Sequence, residues 1–192
     1  MKIVVLTGAG VSAESGISTF RDSGGLWENY DIMEVASIQG WYKDKKLVLD
    51  FYNQRRRQLK NVEPNEAHYA LAKLEENFDV TIITQNVDNL HERAGSKNII
   101  HLHGQLTQAK STAHPGFVYD IGYNDINIGD KCEKGSQLRP NIVWFGEPVP
   151  MMYEAGKIAE QADIFIVVGT SLVVYPAAGL IDYVKPSSNK YI

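Results

Sequence analysis

The sequence predicts an α/β fold: a Rossmann-like, mainly parallel sheet with helices on both faces and a small insert subdomain. Three β-branched runs end in glycine or polar residues, which is typical of parallel strands buried on both faces. They are 2–10, 79–86 and 163–170, and shorter strand candidates are 98–104 and 141–147. Helical patterns separate these runs at 44–60, 66–77, 88–94, 152–161 and 176–184. Because strand and helix alternate, a parallel sheet covered by helices is the expected architecture.

Length and composition indicate a single domain of 1–192. The 192 residues are 44% apolar and 22% charged, which are ordinary values for a globular protein. The net charge of −4 gives no electrostatic reason to expect nucleic acid or an anionic membrane as a partner. No apolar run reaches the ~18–20 residues of a membrane span, and "MKIVVLTGAG" holds too short an apolar run for a secretory signal. We therefore expect a cytoplasmic protein, which we take to be a monomer.

Two regions depart from the regular alternation. Residues 105–138 are rich in Gly, Asn, Asp, Lys and Ser and lack a clear period, which indicates an insert rather than a linker. The last residues, "SSNKYI", are typical of a turn followed by the start of a strand, so we interpret the C-terminal end as incomplete. Cys132 is the only cysteine, which excludes an intramolecular disulfide.

Polar residues follow the three long strand candidates, and ligands of such sheets bind at the carboxyl ends of the strands. The first of these ends, Gly8 to Ala13, fits the Gly-x-Gly-x-x-Ala pattern of a dinucleotide-binding turn, although a glycine turn without a ligand remains an alternative. An ordinary dehydrogenase also needs an acid about 20 residues further on to hold the ribose. Glu28 and Asp31 lie near that distance, but no recognisable second strand precedes them. The pattern therefore suggests a dinucleotide without supporting an ordinary dehydrogenase.

Histidines in the segment "HLHG" form a second candidate feature. His101 and His103 are at i and i+2 of a predicted strand and would share one face. Each could be structural, or the pair could bind a metal; no third His or Cys lies at ligand spacing, so we predict no metal site. His68 and His91 lie in helical patterns, where a structural role is the simplest interpretation.

Five segments in order closely resemble the sirtuins, the NAD-dependent protein lysine deacylases. They are "GAGVSAESGISTFRD" (8–22), "TQNVDNLHERAG" (84–95), "HLHG" (101–104), "IVWFGE" (142–147) and "VVGTSLVVYPAAGL" (167–180). The resemblance implies catalysis by His103 as general base with Asn86 and Asp88. It implies NAD binding by Gly8, Ala9, Gly10, Ser12, Glu14, Thr19, Phe20, Arg21, Trp27, Gln85, Asn86, Val87, Asp88, Gly169, Thr170 and Ser171. It implies substrate binding by Tyr52, Arg55, Val143, Phe145, Gly146, Glu147, Val173 and Tyr175, with an extended peptide added as a strand.

The implied reaction consumes NAD and transfers no hydride. The acyl oxygen attacks the ribose carbon that carries nicotinamide, and a base then deprotonates a ribose hydroxyl so that the acyl group migrates. A histidine suits the base because its ordinary pKa lies near working pH. The expected products are free lysine, nicotinamide and O-acyl-ADP-ribose. The alternatives are a degenerate, non-catalytic NAD or ADP-ribose binding module and a Rossmann-type oxidoreductase.

The stretch "LVLDFYNQRRRQL" (47–59) holds three consecutive arginines on a predicted helix. At about 100° per residue, Val48, Tyr52, Arg55 and Leu59 share one stripe. Arg56 and Arg57 fall off that stripe, which predicts a solvated face for both. Arg55 lies with the apolar residues, where an unpaired charge is costly and a carboxylate partner is expected, either within the protein or on a ligand. Tyr52 and Arg55 also match the Tyr-x-x-Arg pair of sirtuins that act on malonyl and succinyl groups, which implies that they bind the distal carboxylate.

The chain differs from most sirtuins in its insert. The family's small zinc module carries four cysteines, whereas this chain has Cys132 alone, so a tetrathiolate site cannot form. We therefore predict no stoichiometric zinc. The insert either folds without metal, around Phe117, Tyr119 and Tyr123, or is partly disordered.

Overall fold

The computed structural model describes residues 1–17 and 30–192, and these form two compact units. The first unit comprises 1–17, 63–103 and 149–192, and the second comprises 30–62 and 104–148. The predicted insert, 105–138, lies within the second unit. Of the helices in the described ranges, none combines the length and the apolar character that a membrane crossing requires.

The described residues of the first unit contain a five-stranded sheet with the strand order β3-β2-β1-β7-β8. Every neighbouring pair in it is parallel, which confirms the predicted α/β architecture. The strands are β1 (Lys2–Thr7), β2 (Asp79–Thr84), β3 (Ile99–His101), β7 (Ile164–Val168) and β8 (Asn189–Tyr191). The last strand pairs with β7 along Asn189–Tyr191, so the strand predicted from "SSNKYI" is present.

Helices cover both faces of this sheet. Alternate residues of β1 point to opposite faces, so β1 contributes apolar side chains to the packing on each side. Val4 and Leu6 pack on one side with Ala155 and Ala159 of helix α6 (Met152–Ala159). Ile3 and Val5 pack on the other side with residues that include Leu71 of helix α4 (Glu66–Leu74). Helix α5 (Leu90–Ala94) follows β2, and the predicted helix at 176–184 is a 3₁₀ helix, Ala177–Tyr183. Small residues on α6 permit close packing against the sheet. The runs of β1 and β2 are buried as predicted, whereas in β7 only Phe165 is buried and the other residues are partly exposed.

The second unit combines three helices with a three-stranded antiparallel sheet among the residues described. The helices are α1 (Ile32–Val35), α2 (Ile38–Lys43) and α3 (Lys45–Lys60). The strands are β4 (Gly104–Ser111), β5 (Val118–Asp120) and β6 (Leu138–Ile142), in the order β5-β4-β6. Asp44 caps the N-terminus of α3, and its side chain accepts a hydrogen bond from the Leu47 backbone at 2.9 Å.

The prediction of a strand at 141–147 is wrong in position and partner. The strand ends at Ile142, it contains Pro140, and it pairs antiparallel with β4. A proline discourages a strand assignment, but β6 is at the edge of its sheet, where proline is tolerated. The strands β4 and β5 were not predicted, because their residues are mostly polar and only partly buried.

Candidate active site

Three loops lie at the carboxyl edge of the parallel sheet in the first unit. Strand β1 is flanked by β2 on one side and by β7 on the other, and the chain reverses its direction of strand addition between β1 and β7. Such a topological switch point is where open α/β sheets bind ligands. The loops that follow β1, β2 and β7 hold Gly8–Gly10, Gln85–Asp88 and Gly169–Ser171. The predicted cofactor residues of these loops therefore lie at the expected edge.

The glycines of the first loop are required by close packing against the loop after β7. The backbone N–H of Gly10 donates to the carbonyl of Gly169 at 2.8 Å. A Cβ added at Gly10 would lie 2.9 Å from the Gly169 Cα, and one at Gly8 would lie 2.6 Å from the Thr170 Cβ. Gly169 itself has a φ of 63°, in the left-handed region. The glycines of the predicted dinucleotide turn thus also join the two loops at the switch point.

A buried hydrogen-bonded chain ties the predicted residues Asn86, Ser12 and Asp88 together. The Asn86 side-chain amide donates to the Gly8 carbonyl at 3.2 Å and to Ser12 Oγ at 3.1 Å. Ser12 Oγ donates to Asp88 Oδ2 at 3.0 Å, and the other Asp88 oxygen accepts from the Leu90 backbone at 3.1 Å. Burial raises the pKa of Asp88, although the hydrogen bonds from Leu90 and Ser12 oppose that shift. The three side chains therefore form a fixed polar group beneath the glycine loop.

His103 and His101 occupy different environments, although the sequence predicted one shared face. His101 ends β3, whereas His103 lies in the turn that follows it. Nδ1 of His103 lies 3.0 Å from the Gln85 carbonyl oxygen. A carbonyl only accepts, so Nδ1 carries the hydrogen and Nε2 carries the lone pair. Burial lowers the pKa of His103, and the hydrogen bond to Gln85 only partly opposes this. His103 is therefore a neutral imidazole able to accept a proton at Nε2.

His101, in contrast, uses both ring nitrogens within the protein. Its Nδ1 lies 3.2 Å from the Asn86 carbonyl oxygen and its Nε2 lies 2.6 Å from Glu92 Oε1. Burial lowers the pKa of His101, but the hydrogen bond and charge of Glu92 outweigh it and leave that pKa raised. The ion pair fixes His101 as a support for the Gln85–Asp88 loop.

Two further histidines of this unit, His68 and His91, make buried contacts, which agrees with the structural role predicted for both. His68 Nδ1 accepts from the Asn65 backbone N–H at 3.3 Å in a capping box at the start of α4, and Nε2 faces Ser12 Oγ at 3.5 Å. His91 Nε2 lies 3.0 Å from Thr7 Oγ1. Burial lowers the pKa of His91 from 6.5 to about 4, with the charge of His68 acting in the same direction. The Asn65-x-x-His68 spacing is the sequence signal that could have placed His68 beside the loop.

The third loop is linked to the second through Gln85 and Thr170. Gln85 Nε2 donates to Thr170 Oγ1 at 3.1 Å, and the same oxygen accepts from the Leu172 backbone at 3.2 Å. Beyond this loop, Val173 and Tyr175 are exposed. Their exposure is compatible with the predicted pairing of this segment with an extended substrate peptide. That pairing stays a prediction.

The predicted acyl-binding residues of the second unit lie on α3. Tyr52 is buried, and its phenol oxygen accepts from Trp144 Nε1 at 2.9 Å. Arg55 is half-buried on the same stripe, with Cζ 5.8 Å from the Phe51 ring centroid. Trp144 belongs to the motif "IVWFGE", and nothing in the sequence indicates its polar contact with Tyr52.

The prediction that Arg56 is solvated is wrong. Arg56 is 0% exposed, and its guanidinium donates to the carbonyls of Asn124 at 3.0 Å and Leu106 at 3.3 Å. It also bonds Asn53 Oδ1, and burial lowers the pKa of Arg56 to about 10. Arg57 is exposed as predicted and pairs with Asp125 at 2.5 Å.

The segment after β6 uses part of its backbone within the unit. The Phe145 N–H donates to the Ala36 carbonyl at 2.9 Å, and the Glu147 N–H donates to the Trp144 carbonyl at 3.0 Å. The Glu147 carboxylate is bound by Arg139 at 2.8 Å. Gly146 has a φ of 87°, and the Phe145 side chain is exposed. Glu147 thus has a structural partner for its side chain, while strand pairing of this segment with a substrate stays a prediction.

Four predicted cofactor residues, Thr19, Phe20, Arg21 and Trp27, lie outside the described residues. Among the residues that are described, no three His, Cys, Asp or Glu side chains are grouped so that they could hold a metal ion.

Comparison with known proteins identifies the family. The model of the Sir2 family matches residues 8–176. The chain belongs to the Sir2 family. An NAD-dependent protein deacylase of Helicobacter pylori is 60% identical over 178 residues, which cover 93% of this chain and 76% of the relative. One from Bacteroides thetaiotaomicron is 55% identical over 195 residues, covering 99% of this chain and 83% of the relative.

Solved Sir2 structures have the same fold as this Sir2-family chain. A Sir2 homologue in complex with NAD has a TM-score of 0.90 and 46% identity, and covers 100% of this chain and 76% of its own. A Sir2 variant with a deacetylated p53 peptide and 3′-O-acetyl ADP-ribose has a TM-score of 0.81 and 37% identity, and covers 98% of this chain and 79% of its own.

Proposed function

We propose that this Sir2-family chain is an enzyme that removes acyl groups from protein lysines with consumption of NAD. The proposed acyl groups are acetyl and, through Tyr52 and Arg55, succinyl and malonyl. The observation that carries the proposal is the His103 imidazole, whose Nδ1–H is held by the Gln85 carbonyl at 3.0 Å and whose Nε2 is left to accept a proton. Its deacylase relatives and the NAD-bound Sir2 homologue support the reaction class.

The loops at the carboxyl edge of the first unit fit NAD. Glycine backbone at Gly8 and Gly10 allows close approach of a pyrophosphate, and Thr170 and Ser171 offer hydroxyls in the loop across the switch point. Asn86 and Asp88 would hold the polar groups of the nicotinamide half, because both are buried and fixed through Ser12. NAD supplies an electrophilic ribose carbon with nicotinamide as its leaving group.

The protein's own chemical contribution is proton transfer and positioning. His103 Nε2 removes a proton from a ribose hydroxyl, and the lowered pKa keeps the imidazole neutral and ready at neutral pH. The chain of Asn86, Ser12 and Asp88 holds its groups in place without reorganisation, because each donor already has an acceptor.

Arg55 and Tyr52 are the proposed determinants for acidic acyl groups. A guanidinium presents donors that match a carboxylate, and a phenol adds one more. Both side chains lie on one stripe of α3, which supports their joint action. The residues proposed to pair with an extended substrate peptide are Val143, Phe145, Gly146, Glu147, Val173 and Tyr175.

The predicted insert is proposed to fold without zinc. Asn53 Nδ2 donates to the Ile126 carbonyl at 3.0 Å, and Ile126 N–H donates back to Asn53 Oδ1 at 3.0 Å. With the Arg56 contacts to Asn124 and Leu106, these bonds attach the insert to α3 by side chains. Elemental analysis of the purified protein is expected to find no stoichiometric zinc, and one zinc per chain would contradict this part of the proposal.

The function is tested with matched acetyl-, malonyl- and succinyl-lysine peptides, with and without NAD, read by mass spectrometry. We expect NAD-dependent loss of the acyl group, with nicotinamide and O-acyl-ADP-ribose formed in equal amounts. Binding of NAD without nicotinamide release on any peptide would favour a non-catalytic binding module. Activity on the acetyl peptide alone would mean that the protein is a deacetylase without acidic acyl specificity. It would refute the role proposed for Tyr52 and Arg55.

A further inference from the structure

A buried hydrogen bond between Trp144 and Tyr52 fixes the direction of the tyrosine hydroxyl. Trp144 is 2% exposed and Tyr52 is 3% exposed, and the indole Nε1 lies 2.9 Å from the phenol oxygen. An indole N–H only donates, so the phenol oxygen must accept. The phenol hydrogen therefore points away from Trp144.

Tyr52 keeps that hydrogen over the whole working pH range. Burial raises the pKa of Tyr52 to about 12, and the hydrogen bond from Trp144 opposes this only in part. A protonated phenol whose oxygen already accepts one bond is best matched by a group that accepts and does not donate. Of the acyl groups in the proposed function, the malonyl and succinyl carboxylates are such acceptors at their distal end, whereas the acetyl methyl is not.

The indole is itself held in place by an arginine–glutamate pair. Arg139 Cζ lies 3.4 Å from the Trp144 ring centroid, and both guanidinium ends bond Glu147 at 2.8 Å. Glu147 Oε2 also accepts from the Trp144 backbone N–H at 2.9 Å. Burial raises the pKa of Glu147, but the bonds from Arg139 and the Trp144 backbone outweigh it and lower that pKa overall. The stacked charge and the backbone bond together fix both the position and the plane of the indole.

We propose that Trp144 is a positioning residue for acidic acyl groups, because its indole N–H orients the Tyr52 phenol as a hydrogen-bond donor to the acyl carboxylate. The inference rests on the proposed action of Tyr52 and Arg55 on succinyl and malonyl groups. Arg139 and Glu147 contribute indirectly, because they hold the Trp144 indole in place.

The test is a double-mutant cycle of Trp144→Phe and Tyr52→Phe on matched succinyl- and acetyl-lysine peptides. Phenylalanine keeps an aromatic ring at 144 and removes the N–H. For the succinyl peptide we expect Trp144→Phe to raise KM by about five- to tenfold, the worth of one hydrogen bond between neutral groups, with kcat little changed. For the acetyl peptide both constants are expected to stay within about twofold of the wild type. In the Tyr52→Phe background, adding Trp144→Phe is expected to have no further succinyl-selective effect.

Trp41→Phe is the matched control, since the Trp41 ring packs on Trp144 with centroids 5.6 Å apart. Like Trp144→Phe, it replaces an indole by a phenyl ring in the same aromatic cluster. It is expected to change KM and kcat to the same extent for the succinyl and the acetyl peptide. If Trp144→Phe does not fold, Arg139→Lys replaces it, because lysine keeps the charge but loses the two-pronged bond to Glu147. We expect that variant to lose succinyl activity selectively, by about two- to fivefold.

Three outcomes would overturn the inference. Equal losses on both peptides, in Trp144→Phe or in its substitute Arg139→Lys, would indicate a structural role only. A full succinyl-selective loss by Trp144→Phe in the Tyr52→Phe background would show that Trp144 does not act through the phenol. A wild-type protein that deacetylates but ignores succinyl peptides would refute the acidic specificity itself, and the inference with it.

Discussion

Polar side chains are held in different ways in the two units. In the first unit, Asn86, Asp88 and His103 follow the ends of parallel strands and are fixed largely by backbone groups and by Ser12. In the second unit, Tyr52 and Arg56 project from a helix. Tyr52 is held by a tryptophan side chain, and Arg56 is held by carbonyls of the insert.

The contrast explains why the two regions should respond differently to substitution. Among the residues described, the His103 side chain has one hydrogen bond, to the Gln85 carbonyl, so its removal should affect chemistry more than stability. A side chain that links a helix to an irregular segment contributes directly to the packing of that segment. Its removal leaves carbonyl groups buried without donors, which is costly.

The sharpest test of the first region is His103→Tyr. We expect turnover to fall by about 10²- to 10⁴-fold on every acyl peptide, because the variant lacks the proton acceptor at Nε2. Urea denaturation is expected to show a fold of nearly unchanged stability. Near-normal activity on any peptide would show that another group is the base.

The matching test of the second region compares Arg56→Met with Arg57→Met. Arg56→Met is expected to lower the free energy of unfolding by about 2–4 kcal/mol, because the carbonyls of Asn124 and Leu106 lose their donor. Arg57→Met removes an exposed ion pair and is expected to leave the urea midpoint unchanged. Equal midpoints for the two variants would mean that the burial of Arg56 contributes nothing to stability.

Arg55→Met, also on α3, tests acyl specificity separately from catalysis. We expect kcat/KM for a succinyl peptide to fall about 10- to 100-fold, as for loss of hydrogen bonds to a charged group. Deacetylation by the same variant is expected to stay close to the wild type. A parallel loss on both peptides would favour an internal ion-pair role for Arg55.

The smallest expected effect is a change in the pH dependence of the free energy of unfolding when His91 is replaced. The pKa of His91 is lowered from 6.5 to about 4, so between about pH 6.5 and pH 4 the unfolded chain binds the proton and the folded chain does not. Stability is therefore present above pH 6.5 and is lost as pH falls toward 4, at up to about 1.4 kcal/mol per pH unit. In urea titrations between pH 7 and pH 5, His91→Gln is expected to reduce that slope. The same change at His114, in the second unit, serves as the control, and an unaltered slope in His91→Gln would contradict the assignment.

The sequence by itself determined the parallel sheet, the three loops at its carboxyl edge and the Sir2 motifs that fill them. These features depend on short-range patterns: a strand run, the residues that end it and the glycines of a tight turn. The packing of Gly8 against Thr170 and of Gly10 against Gly169 is long-range, but the residues that permit it were visible in the motif.

Only the tertiary structure decided the burial of Arg56, the direction of the Tyr52 hydroxyl and the position of β6. Helical spacing gives the angle between two side chains on α3, but it does not say which faces of that helix other segments cover. The segment around Asn124 covers the face that the apolar stripe leaves open, and its carbonyls need a donor. Arg56 supplies it, because a buried guanidinium is tolerated where several acceptors surround it.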